Sequence, residues 1–124
     1  MVTRGVVLLA VLAACGSGAS GSVGDVITGW QQAGLEPASF QAADVKALGG
    51  RCQAGKVKGV DATVCEFDDA DKAKRAEAAG LGLVGEATGA ALSQGKLLLV
   101  LADRSRTDPT GKNIQAIAKV FRNR

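Results

Sequence analysis

The chain has 124 residues, a formal net charge of +3, no histidine and no tyrosine. So small a charge, with one tryptophan and three phenylalanines as the only aromatic residues, does not indicate a nucleic-acid-binding surface. Without histidine, Ser-His-Asp and Cys-His catalytic sites and the usual zinc sites are excluded. The length suits one small domain.

The N-terminal segment has the pattern of an export signal. Arg4 is followed by a short apolar run, Gly5 to Leu12, and then by Ala13-Ala14-Cys15. The run is far shorter than the ~20 residues that a transmembrane helix needs, and small residues are typical before a signal-peptidase cleavage site. Leu12-Ala13-Ala14-Cys15 resembles the lipobox of bacterial lipoproteins. An ordinary secretory signal, in which Cys15 is incidental, is the alternative.

The resemblance implies a lipid-anchored protein of the bacterial cell envelope. Residues 1–14 would be removed as a lipoprotein signal peptide, and Cys15 would carry the lipid, including acyl chains such as palmitate. Residues 15–22 are small, which predicts a flexible tether, and residues 23–124 would form a single small α+β domain. Because Gly16 rather than Asp follows the cysteine, the outer membrane is favoured if the cell is Gram-negative.

Cys52 and Cys65 are predicted to form a disulfide within a hairpin. The segment Val57-Lys58-Gly59-Val60 is typical of a two-residue turn. A hairpin that turns there pairs residues whose numbers sum to 117, as do 52 and 65. The two cysteines then form a non-hydrogen-bonded pair, with Cα atoms ~4.5 Å apart, which a disulfide accepts.

Charge pairs and cellular compartment support this pairing. The same register places Lys56 opposite Asp61 and Arg51 opposite Glu66, and opposite charges across two strands are favourable. An oxidising compartment outside the cytoplasm makes a disulfide the expected state of an even pair of cysteines. Two buried free thiols are the alternative.

Helices are predicted on both sides of the hairpin, which spans Arg51 to Phe67. Ser22 to Ala33 has a cap, an acidic first turn and an apolar face. A short second helix is predicted over Ser39 to Leu48. After the hairpin, the acidic start of Asp68 to Ala79 suits the helix dipole, and Gly80 and Gly82 are expected to end that helix.

The C-terminal part predicts two more strands and a helix. Leu83 to Leu92 is ambiguous, with a composition that permits a weak strand, and Ser93-Gln94-Gly95 is a predicted turn. The length and flanking signals of the apolar run Leu97 to Ala102 predict a central strand that is buried on both faces, with a buried helix as the alternative that periodicity alone leaves open. After a polar loop, Asp103 to Thr107, Asp108-Pro109 is predicted to start the last helix, with Asp as its cap.

These elements predict an α+β fold with the order α-(α)-β-β-α-β-β-α, in which helices pack on an antiparallel sheet of about four strands. A ferredoxin-like arrangement is the alternative. One disulfide, in the first hairpin, is expected.

Two motifs that invite a ligand have simpler explanations. Asp68, Asp69 and Asp71 lack the later glycine and oxygen ligands of an EF-hand loop, and helix capping explains them. Asp108 to Lys112 superficially resembles a phosphate-binding loop, but Arg106 stands where the first glycine of that motif belongs. We therefore expect no metal and no cofactor.

The charged loop after the buried strand is the candidate ligand-facing region, because such loops often line clefts in α/β sheets. Arg104, Arg106 and Lys112 would suit an anionic ligand, although a solvated loop is the simpler interpretation. A pocket into which these three cations converge would favour ligand binding. Exposed Leu or Phe side chains would favour protein partners instead.

The pattern as a whole favours a non-enzymatic interaction or assembly module. Its expected partners are the membrane, through lipid on Cys15, and an envelope protein; nucleic acid is not expected. A lipoprotein that binds a small molecule or an anionic ligand is the alternative function.

Overall fold

The structure is a computed structural model that describes residues 21–124. The predicted signal peptide, Cys15 and most of the predicted tether therefore lie outside the described residues. The elements follow in this order: α1 (Val23–Gln32), β1 (Pro37–Ala43), β2 (Arg51–Val57), β3 (Val60–Glu66), α2 (Ala70–Arg75), α3 (Glu77–Val84), β4 (Thr88–Gln94), β5 (Leu97–Asp103) and α4 (Lys112–Arg122).

The fold is α+β, as predicted, with one antiparallel sheet of five strands rather than about four. The strand order is β1-β2-β3-β5-β4. The order of elements also differs from the β-α-β-β-α-β of the ferredoxin-like alternative. None of the helices within residues 21–124 combines the length and apolarity that crossing a membrane requires.

Helices cover the sheet on both faces, so the structure has three layers. One face packs against α1 and α4, in a core that includes Trp30, Val64, Leu99 and Phe121. The other face packs against α2 and α3, in a core that includes Phe67 and the two cysteines. The strand β5 contributes side chains to both cores, and all seven of its residues are buried, as its apolar run predicts.

The predicted first helix is confirmed as α1. Ser22 and Asp25 form a capping box, in which each side chain accepts a hydrogen bond from the other residue's backbone N–H. Trp30 is fully buried, and its indole N–H donates to the carbonyl oxygen of Ile117 on α4 at 3.1 Å. This bond satisfies the polar end of the largest core side chain and ties α1 to α4.

The predicted helix over Ser39 to Leu48 is wrong, because Pro37–Ala43 forms the edge strand β1. The reason is tertiary: β2 offers a free edge, and Gly55 on β2 leaves room for the ring of Phe40. A Cβ atom at position 55 would lie 2.6 Å from Cδ1 of that ring. The ring then stacks near Trp30, with 5.9 Å between ring centroids.

The hairpin is confirmed in every predicted detail of its register. Val57 pairs with Val60 and Cys52 pairs with Cys65, and the two cysteines form a disulfide. The predicted charge pairs also form: Lys56 Nζ lies 2.5 Å from Asp61 Oδ1, and an Arg51 nitrogen lies 3.9 Å from a carboxylate oxygen of Glu66.

The helical region after the hairpin starts as predicted but continues further. Asp69 caps α2 by accepting from the backbone N–H of Lys72 at 2.8 Å. Gly80 and Gly82 do not end the helical region, which runs through α3 to Val84. Gly80 is buried against the sheet, where a Cβ atom would lie 2.9 Å from Val100 and 3.0 Å from Ala91. This glycine therefore permits close packing of helix on sheet.

The ambiguous segment Leu83 to Leu92 is partly helix and partly strand. Its first residues end α3, and from Thr88 it forms the edge strand β4, which pairs with β5 along its whole length. The turn that joins β4 to β5 is Gly95-Lys96 rather than the predicted Ser93-Gln94-Gly95, because Ser93 and Gln94 still belong to β4.

The last helix begins later than predicted, at Lys112 rather than at Asp108-Pro109. Gly111, with φ of 76°, occupies the N-cap position. Asp108 still serves the helix start, because its buried carboxylate accepts from the backbone N–H of Ile114 at 2.9 Å. The predicted apolar face is confirmed, since Ile114, Ile117, Ala118 and Phe121 are buried.

Candidate functional site

A cleft of about 510 Å³ lies where β5 ends and β4 begins. It is lined by Glu86, Ala87, Thr88, Asp103, Arg104, Arg106 and Pro109. The β4–β5 register brings these residues together, because it pairs Thr88 with Asp103. The cleft therefore combines the segment that enters β4 with the loop that leaves β5.

The carboxylate of Asp103 organises the loop. Its Oδ1 accepts from the backbone N–H of Thr107 at 2.9 Å and from the Thr107 hydroxyl at 3.1 Å. Its Oδ2 accepts from the backbone N–H of Asp108 at 2.8 Å. Asp103 is buried, so these bonds hold the loop from within, and the carboxylate is committed to structure rather than to a ligand.

Burial and hydrogen bonding shift the pKa of the Asp103 carboxyl in opposite directions. Burial raises the pKa of its carboxyl, and the hydrogen bonds donated by Asp108, Thr107 and Arg106 lower it. The hydrogen bonds outweigh burial, so the pKa lies below its ordinary value. Asp103 is consequently a carboxylate at neutral pH and keeps all of its acceptor capacity.

Arg106 is held in an uncommon backbone conformation at the lip of the cleft. Its φ of 56° lies in the left-handed region, which a non-glycine residue adopts only where surrounding structure imposes it. Its backbone N–H donates to the carbonyl oxygen of Asp103 at 3.4 Å. Within residues 21–124, the Arg106 guanidinium has no ion-pair or hydrogen-bond partner. Its side chain is thus available to an anion.

Arg104 also lines the cleft but already has partners. Its Nη2 donates to the carbonyl oxygen of Leu83 at 2.8 Å, and its Nε lies 3.8 Å from Asp61 Oδ2. Asp61 in turn pairs with Lys56. Arg104 therefore joins β5, β3 and the end of α3, and offers less free charge to a ligand than Arg106.

Lys112, the third predicted cation, does not line the cleft. It is the first residue of α4 and is exposed. Two of the three candidate cations, Arg104 and Arg106, therefore meet at the cleft. Glu86 and Thr88 were not foreseen, since their place depends on the length of α3 and on the exact turn between β4 and β5. A turn at Gly95-Lys96 pairs residues whose numbers sum to 191, as do 88 and 103.

The tip of the first hairpin lies at the same end of the sheet. Gly59 sits against Thr107, because a Cβ atom at position 59 would lie 3.1 Å from the Thr107 hydroxyl oxygen. Lys58 precedes it, exposed and with φ of 51°. The end of the sheet that holds the cleft therefore carries a further exposed cation.

Apolar side chains are exposed beside this end of the fold. Leu81 is 55% exposed and Leu83 is 37% exposed, and both belong to α3. Leu83 is tied to the cleft through its carbonyl oxygen, which accepts from Arg104. Two exposed leucines on a short helix next to a charged cleft are the feature that was expected to favour a protein partner.

The described residues offer no site built for a bound metal: within 21–124, no three Asp, Glu or Cys side chains gather closely enough to hold an ion. The side chains around the cleft suit a binding role. Arg106 can donate paired hydrogen bonds to a carboxylate or phosphate, while the Asp103 carboxylate is enclosed by the loop that it stabilises.

Replacing Asp103 with Asn is expected to destabilise the loop and to change the pH dependence of folding. A lowered carboxyl pKa adds stability that is present above the unfolded value, ~3.9, and is lost as pH falls through the folded value. In denaturant unfolding at pH 2 to 7, the free energy of unfolding should decrease less below pH 4 for D103N than for the unmodified protein. D71N, at an exposed acid of α2, is the control. Identical profiles for D103N and the unmodified protein would contradict the assigned role.

Comparison with known proteins returned no match. No protein family, no curated protein sequence and no solved structure is significantly similar to this chain. The functional argument therefore depends on the chain's own residues.

Proposed function

We propose that this protein is a lipid-anchored lipoprotein of the bacterial cell envelope that binds a protein partner and catalyses no reaction. The observation that supports the binding role most directly is the Arg106 guanidinium, which is held at the cleft without a partner among the described residues. The lipobox-like segment that ends at Cys15 supports the anchor.

An exposed leucine beside the cleft supports a protein partner over a small molecule. Leu83 lies on the helix that leads into the cleft, and its carbonyl oxygen accepts from Arg104, so burying its side chain on association would be favourable. A partner that covers Leu83 and places an acidic side chain on Arg106 would gain both hydrophobic contact and a charge-assisted hydrogen bond. The expected partner therefore presents apolar residues next to a carboxylate.

The position of the cleft is compatible with an anchor at the N-terminus. Ser22, where the tether would join the domain, lies beside Arg51 and Glu66, which form one end of the first hairpin. The Arg106 loop adjoins Gly59, at the other end of that hairpin. Strands of seven residues separate these ends by roughly 20 Å, so the tether leaves the cleft accessible.

Site-specific photo-crosslinking in native envelope tests the proposal. A photoreactive amino acid at Ser105, between the two cleft arginines, should give a discrete adduct with one envelope protein, and R106E should reduce its yield about tenfold or more. The control places the same group at Ala70, exposed on α2 at the opposite end of the sheet. Equal adducts from both positions, or no effect of R106E, would count against a partner at the cleft.

A small anionic ligand is the second candidate, because a cleft of about 510 Å³ is large enough for one. Calorimetric titration with inorganic phosphate and with a short acidic peptide separates the two candidates. Phosphate binding that R106E abolishes, without a photo-adduct from Ser105, would favour the small ligand. Binding of the acidic peptide alone would favour the protein partner.

A further inference from the structure

The two edges of the sheet differ in how well they are protected from pairing with another strand. The edge strand β1 begins with a proline, its register shifts between Ala38 and Gln41, and Ser39 has φ of 63°. Such irregularities block the addition of a strand. The edge strand β4 contains neither proline nor a charged residue, and it pairs with β5 without a register shift.

The backbone groups that β4 directs outward follow from its hairpin. The two-residue turn Gly95-Lys96 is closed by the pair of Gln94 with Leu97. Because hydrogen-bonded and non-hydrogen-bonded pairs alternate, Gly89, Ala91 and Ser93 direct their N–H and C=O groups away from β5. The N–H of Ser93 confirms this direction, since it donates to a carboxylate oxygen of Glu77 on α3 at 2.8 Å.

From this edge we infer that the protein forms a homodimer in which two copies of β4 pair antiparallel about Ala91, joining two sheets into one of ten strands. In this register, residues of the two copies pair when their numbers sum to 182. Ala91 pairs with its own counterpart, and Gly89 pairs with Ser93 of the other copy. A strand that is complementary to itself is what a two-fold interface requires.

Charge complementarity selects the second copy as the occupant of this edge. Glu86 lies in the turn that precedes β4, Lys96 lies in the turn that follows it, and both are exposed. Neither forms an ion pair within residues 21–124. Because the two strands pair antiparallel, the dimer places the turn with Glu86 of each copy beside the turn with Lys96 of the other, within reach of these long side chains, and like charges do not meet.

A side-chain oxygen at the same strand would also gain a partner. The Gln94 Oε1 atom is buried and has no hydrogen-bond partner among the described residues. The register places the exposed Thr88 of the second copy directly opposite Gln94, on the same face of the sheet. Rotation of the Gln94 amide toward that hydroxyl would remove the cost of an unsatisfied buried acceptor.

The helix above β4 fits the same two-fold axis. Gly80 lies over Ala91, and Glu77 reaches the outer edge at Ser93. On a helix, residues four apart share a side, so Leu81 lies on the same outer side as Glu77. Around an axis at Ala91, the exposed Leu81 of each copy would approach the other and become buried.

The axis is also compatible with lipid anchors on both copies. An antiparallel strand pair within one sheet has its two-fold axis perpendicular to the sheet, so α1 of both copies lies on the same side. The tethers would enter both domains at Ser22, next to α1. Both anchors could therefore insert into one membrane.

Glu77 limits the strength of the interface. The complete pairing has six backbone hydrogen bonds. The Ala91 pair forms two of them, and each of the two Gly89–Ser93 pairs forms two more. While Glu77 accepts from the Ser93 N–H, two of the six cannot form. We therefore expect a dissociation constant in the micromolar range rather than a permanent dimer.

Zero-length cross-linking of the full chain in detergent micelles tests the inference. A carbodiimide joins a carboxylate to an amine that touches it, and an equal mixture of ¹⁴N- and ¹⁵N-labelled chains identifies links between copies. The expected result is a mixed-isotope link between Glu86 and Lys96. These residues lie beyond opposite ends of β4 in one copy, so an intramolecular link is sterically excluded.

Charge reversal supplies the matched controls. E86K and K96E should each weaken dimerisation, measured by sedimentation equilibrium, about tenfold or more at low salt, and the double variant should return to within about threefold of the unmodified protein. A chain that stays monomeric at about 100 μM, far above a micromolar dissociation constant, would overturn the inference. A dimer that gives no Glu86–Lys96 link, or that both single variants leave unchanged, would also overturn it.

Discussion

Reduction of the Cys52–Cys65 disulfide is expected to lower the free energy of unfolding by about 3 kcal/mol. The bond joins residues 13 apart in sequence, and closing a loop of this size removes about that much chain entropy from the unfolded state. For a domain of about a hundred residues, this corresponds to a decrease in melting temperature of more than about 10 °C. Both cysteines are buried in the core under α2 and α3.

Thermal unfolding with and without dithiothreitol measures this effect. Reduction removes only the cross-link, whereas C52A/C65A removes the cross-link and the volume of the two sulfur atoms. Comparing the two therefore separates the effect of the cross-link from the effect of the lost volume. C52A/C65A should melt below the reduced protein, and its melting should not respond to the reductant. If thiol titration shows that both cysteines are reduced and the melting temperature is still unchanged, the disulfide contributes nothing to stability.

Replacing Cys15 with Ser is expected to release the protein from the membrane completely. A single acyl chain gives only marginal membrane binding, whereas several chains anchor a protein stably. Fractionation of cells between membrane and soluble phases should therefore move C15S wholly to the soluble phase. S17A, a change in the same tether that keeps the cysteine, is the matched control and should stay in the membrane.

Intact-mass analysis of the membrane-extracted protein gives an independent measurement. The expected mass is that of a chain that starts at Cys15 and carries diacylglycerol. An unmodified N-terminal sequence that runs through Cys15 would contradict the anchor. Because the domain core lies within residues 21–124, we expect C15S to fold as the unmodified protein does.

The first hairpin shows how far local sequence determines this fold. Its turn residues, its two charge pairs and its cysteines all indicate one register, and every pair forms as predicted. The run from Leu97 to Ala102 is predicted to be a strand from its length and its flanking turn signals, because periodicity alone does not distinguish it from a buried helix, and the strand is confirmed.

The segment from Pro37 to Leu48 shows where local sequence is insufficient. Its alanines and polar residues permit a helix, and the strand forms because the open edge of β2 and the space above Gly55 accept Phe40. The prediction that Gly80 and Gly82 end the helix is wrong for a related reason. Gly80 lowers intrinsic helix stability, yet its contact with Val100 and Ala91 requires the absence of a side chain.

The candidate site also combines features that local sequence predicts with features that depend on tertiary contacts. The polar loop after β5 was predicted, and Arg104 and Arg106 both line the cleft. Lys112 does not line the cleft, because α4 begins later than predicted and Lys112 is its exposed first residue. Glu86 and Thr88 join the site only through the pairing of β4 with β5.

Neighbouring residues suffice to specify the hairpin register, the disulfide, the buried strand and the α+β class, because each depends on residues close together in the chain. Long-range contacts establish that β1 is a strand, that helices cover both faces, and that Arg106 rather than Lys112 lies at the cleft. Those outcomes depend on which surfaces meet across the sheet. The energy of such contacts exceeds local preference and is set by residues distant in sequence.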